Sequence, residues 1–123
     1  MKRRTVLLAK DLLSGFLLAE INRLHEVRDL YAAEMHPIQV AVKVGETRSS
    51  VVIIPMVDPM TSAICEQVLN EYPEVHIISV SRNLDCALIH QRTVRAKLTK
   101  PFVKKILKAI RKADPWFSYL NRE

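Results

Sequence analysis

The sequence is short of the residues that make a chain loose or that build the commonest reactive sites. It has two glycines, Gly15 and Gly45, in 123 residues. That excludes a glycine-rich phosphate loop and the G-x-S-x-G nucleophile elbow, and it fits a compact chain. It has two cysteines, Cys65 and Cys86, both in apolar settings and with no C-x-x-C. They read as buried thiols, not as a disulfide or a metal site. Cys86 and His90 would stand one helical turn apart, but two groups without further ligands do not hold a metal. The remaining histidines, His25, His36 and His76, are dispersed and read as surface or packed side chains. The few aromatics are not interleaved with the basic residues. No apolar run reaches the roughly 18 residues needed to span a bilayer. Met1-Lys2-Arg3-Arg4 is basic, but Lys10 and Asp11 interrupt the apolar stretch after it and no signal-peptide cleavage pattern follows. The expectation is a cytoplasmic protein without metal, cofactor or enzymatic activity.

What is present is an apolar content of 49% and an excess of base, 19 Lys and Arg against 13 Asp and Glu, for a net charge of +6. This length suits one domain with a sizeable core. The most informative stretch is Val51-Val52-Ile53-Ile54 followed by Pro55. A continuous apolar run is the mark of a strand covered on both faces. Thr5 to Ala9 and Val75 to Val80 read as two more such strands. Thr93 to Thr99 alternates apolar and basic residues as an edge strand does. Between the strands, Leu12, Leu13, Phe16, Leu17, Ile21 and Leu24 recur at helical spacing. Pro37 suits the first turn of a helix to about Val44, although Ile38, Val40, Val42 and Val44 also alternate as a strand would. Further helices are expected from Pro59 to about Glu71, from Leu84 to His90, and from Phe102 to Lys112. Val27 to Glu34 is open between an edge strand and a continuation of the first helix. The pattern is β-α five times over, which predicts a parallel sheet with right-handed crossovers and helices on both faces.

Five βα units in this length, with Lys100-Pro101 at the end of the fifth strand, resemble the receiver domain of bacterial response regulators. The resemblance covers residues 1–113, with 114–123 as a tail or the start of a linker. It implies an α/β, flavodoxin-like, doubly wound sheet of strand order 2-1-3-4-5. In that family an acidic pair after the first strand binds magnesium. An Asp ending the third strand accepts a phosphoryl group, a hydroxyl ends the fourth strand, and a Lys ends the fifth. Here Lys10-Asp11 falls on the acidic pair, Pro55 on the acceptor, Ser81 on the hydroxyl and Lys100 on the lysine. Pro59 matches a family proline four residues past the acceptor. Taking Asp58 as acceptor would displace it, so Asp58 reads as a loop acid or helix cap. The fourth helix and its flanks are short by a few residues.

The resemblance therefore implies a degenerate phosphorylation pocket of Lys10, Asp11, Pro55, Asp58, Ser81 and Lys100. It has no carboxylate to phosphorylate, and an ammonium stands where a cation would sit. The expected function is a signal-transduction module that cannot be phosphorylated, such as the regulatory part of a transcriptional response regulator. It would act on a protein partner, or on a second copy, through the fourth helix, fifth strand and fifth helix. That face would draw on Arg92, Arg95, Lys97, Lys104, Lys105, Lys108, Arg111 and Lys112. The alternative is nucleic-acid binding, by the basic last helix or through an output domain, since clustered Lys and Arg suit phosphate contacts.

Overall fold

A computed structural model describes residues 5–9, 15–81, 87–91 and 95–98. The chain runs β1 (Thr5–Leu8), α1 (Gly15–Leu24), β2 (Glu26–Asp29), a 3₁₀ turn (Ala32–Glu34), α2 (Pro37–Thr47), β3 (Val51–Pro55), α3 (Met60–Glu71), β4 (His76–Val80), β5 (Ala87–His90) and β6 (Arg95–Leu98). The open segment after the first helix is thus the short edge strand β2. Residues 37–44 are helical, in line with Pro37 at the first helical position. Among the described residues no helix is long and apolar enough to cross a membrane.

One sheet holds all six strands in the order β2-β1-β3-β4-β5-β6. The first four are parallel, as expected: β1 pairs with both β2 and β3, and β3 with β4. From β4 onward the expectation fails. Leu84 to His90 was expected as a helix, but Ala87–His90 is a strand antiparallel to β4, and β6 is antiparallel to β5. The sheet is therefore not wholly parallel, and the described residues do not make five βα units. The expected fifth strand takes the sixth place. The reason lies in chain length. A parallel return needs a crossover of roughly a dozen residues or more, and a seven-residue helix is too short to hold itself together. Residues 81–86 suffice for a hairpin, and Ala87 and Ile89 alternate with Leu88 and His90 to give a strand two usable faces.

The central strand is as buried as its composition demands: Val51, Val52, Ile53 and Ile54 are all excluded from solvent. Each such side chain contributes about 1.5–3 kcal/mol relative to exposure. On one face of the sheet Leu7, Val52, Ile54 and Ile77 meet Val40, Ala41 and Val44 of α2 and Ile64, Cys65 and Val68 of α3. The alternate residues Val6, Leu8, Val51, Ile53 and Ile78 are buried too, so both faces are covered. The two helices approach closely at Gly45, where an added Cβ would overlap the Tyr72 hydroxyl. With glycine so scarce, α2 ends on Arg48 in the left-handed region, at φ 53° and ψ 42°, its N–H donating to the Val44 carbonyl.

Candidate functional site

In open α/β sheets, ligands sit beyond the carboxyl ends of the parallel strands where the order reverses, here between β1 and β3. The strand ends are tied together in register. The Ala9 N–H donates to the Ile53 carbonyl at 2.9 Å, and the Met56 N–H to the Val80 carbonyl at 2.8 Å. Pro55 pairs with Val80, so Pro55 and Ser81 stand on neighbouring strand ends. Pro55 brings no donor and no ionisable group. Its carbonyl accepts the Thr61 hydroxyl at 2.8 Å, and the same Thr61 oxygen accepts the Val57 N–H at 2.7 Å. One buried hydroxyl thereby closes the β3–α3 loop. Asp58 lies in that loop, not at the strand end, and accepts the Ser62 hydroxyl at 2.8 Å on the first turn of α3. A carboxylate there faces the positive end of the helix, which suits the expected loop acid. Lys10, Asp11 and Lys100 lie outside the described residues.

The expected basic face is altered by the hairpin. It has no helix at 87–90, so it cannot be built on a fourth helix there. Arg95 and Lys97 stand in β6, in register with His90 and Leu88. Arg92, Lys104, Lys105, Lys108, Arg111 and Lys112 lie outside the described residues, as does Cys86.

Beside α3 the hairpin borders a cavity of about 440 Å³ lined by Ser62, Cys65, Glu66, Leu69, Asn70, His90 and Gln91. His90 is 6% exposed and its Nε2 lies 2.9 Å from the Oγ of Ser79, which is 0% exposed. The pair resembles the start of a serine–histidine relay, but a hydroxyl shut off from solvent cannot meet a substrate. It anchors the imidazole in the β4–β5 layer. Cys65 is buried, as expected. Among the described residues no group of three His, Cys, Asp or Glu could hold a metal. Elsewhere, burial holds the His76 imidazole below its ordinary value. The Tyr31 N–H and the Lys43 ammonium hold the Glu34 carboxyl below its own.

Two working residues escaped the sequence reading, Thr61 and Ser79. Ser79 had a signal: one hydroxyl inside Ile-Ile-Ser-Val must find a buried partner. Thr61 had none, because its partners are backbone groups that only the loop geometry brings to it. No family model, no curated protein and no solved structure matches the chain.

Proposed function

We propose that the chain is a receiver-like signalling module that works by protein contact and does not accept a phosphoryl group. The observation that carries this reading is Pro55 at the carboxyl end of β3, its carbonyl already taken by Thr61. Phosphoryl transfer to protein needs a nucleophile at that point, and proline has none. The acid nearest in sequence, Asp58, is engaged by Ser62. The parallel order β2-β1-β3-β4 supports the flavodoxin-like likeness as far as β4, and the antiparallel β5–β6 pair is where this chain departs from it.

The test is titration with acetyl phosphate or beryllofluoride and magnesium, followed residue by residue by NMR. The expected result is no saturable shift at residues 10–11, 55–58, 81 or 100. A saturable shift centred on Asp11, Asp58 and Lys100 would overturn the proposal.

A further inference from the structure

Three of the four exposed large apolar side chains among the described residues belong to one segment: Tyr31 (58% exposed), Ile38 (68%) and Val42 (55%). The cause is visible in the sequence. Ile38, Val40, Val42 and Val44 alternate, but residues two apart in a helix lie about 200° apart, so α2 splits them into two pairs. Val40 and Val44 enter the core. Ile38 and Val42, one turn apart, form a stripe in water. β-Branched residues are among the weaker helix formers, so helix stability does not ask for them on the outer side. Tyr31 is tied to the same helix. Its N–H donates to the Glu34 carboxylate at 2.9 Å, and Lys43, beside Val42, donates to that carboxylate at 3.2 Å.

The charges at the helix ends point to what covers the stripe. The first turn of α2 has no acid, and its N-cap, His36, makes no side-chain cap. The last turn has no base and carries the exposed acid Glu46, four residues on from Val42, the nearest base being Arg48 at the C-cap beyond it. Glu46 opposes the dipole of a lone helix, and the first turn lacks the acid that would favour it. Both are met if a second α2 lies antiparallel, its Glu46 against this first turn. Glu46 is about 12 Å along the axis from Ile38, and His36 about 9 Å from Val42. When Ile38 packs on Val42 of the other copy, the carboxylate therefore comes within side-chain reach of the partner's first turn. We infer that this chain self-associates as a two-fold dimer through α2, with Ile38 and Val42 at the centre and Glu46 at each end. Such a contact is isologous and closes on itself. The inference deepens the docking reading by assigning its partner as a second copy.

The test is analytical ultracentrifugation of the full chain over a concentration series. The expected result is a concentration-dependent dimer. The Ile38→Lys, Val42→Lys double variant should weaken it by at least about a hundredfold, since each side chain loses its burial, while its circular dichroism matches the parent's. Glu46→Lys should weaken the dimer, and adding His36→Glu to that variant should restore it, a rescue that general destabilisation would not produce. A dimer that survives the double variant, or a chain that stays monomeric throughout, overturns the inference. Neither result bears on the phosphoryl titration, which reads the strand ends, so the two proposals stand or fall separately.

Discussion

The sheet has two parts that solve the same problem differently. From β2 to β4 the strands are parallel and each crossover supplies a helix, so apolar strand faces meet apolar helix faces. From β4 to β6 the strands turn back on themselves, and the layer beside α3 contains a hydrogen-bonded Ser79–His90 pair and a cavity. One row shows the contrast. Ile54, Ser79 and Leu88 lie side by side in register: buried apolar in β3, buried polar in β4, half-buried in β5. A crossover helix brings its own apolar stripe to the sheet, and a hairpin does not. When a βα unit is too short for its helix, the sheet can still be completed, and among the described residues that side holds a polar pair and a cavity.

Substitutions along this row should break or sharpen the contrast. The largest effect is expected for Ile54→Ala, about 2–5 kcal/mol of lost stability, because a cavity opens where nothing can collapse. Leu88→Ala should cost nearer the roughly 1 kcal/mol typical of single substitutions. Urea unfolding reads both, and equal losses would show the hairpin side to be packed as tightly as the parallel side. Next is Ser79→Ala, which removes the hydroxyl from His90 Nε2 inside the layer. It should cost about 1–3 kcal/mol and move the His90 ring resonances, and a neutral result would mean the pair carries no part of the hairpin's attachment.

On the parallel side, Arg48→Gly should stabilise by about 0.5–1 kcal/mol in thermal unfolding, since glycine occupies the left-handed region without the Cβ clash. A loss would place an unseen contact on the Arg48 side chain. The smallest effect concerns His76, which opens β4 at the junction. Its imidazole is held below its ordinary 6.5 by burial, so the folded state prefers the neutral ring. Its contribution is whole above that pH and declines as pH falls from there through the lowered folded value. His76→Gln should flatten stability against pH across that window, and an unchanged slope would assign it to other groups.

By itself the sequence determined the parallel part of the fold. A continuous apolar run at 51–54, a mostly apolar one at 75–80, and periodic ones between them specify strands buried on both faces and the helices that bury them, because periodicity is a property of the chain alone. It also determined that no carboxylate stands at the end of β3, since Pro55 follows Ile54 whatever the fold. Tertiary structure alone decided the rest. Ala87–His90 is short enough to be helix or strand, and the free edge of β4 chose strand by offering hydrogen bonds that an isolated turn of helix could not match. The alternation at 38–44 was likewise compatible with either state. Pairing with α3 and the sheet made it a helix, and that choice sent Val40 and Val44 inward and left Ile38 and Val42 in water. Local pattern sets which faces a segment can have, and only the neighbours available to those faces decide which one is buried.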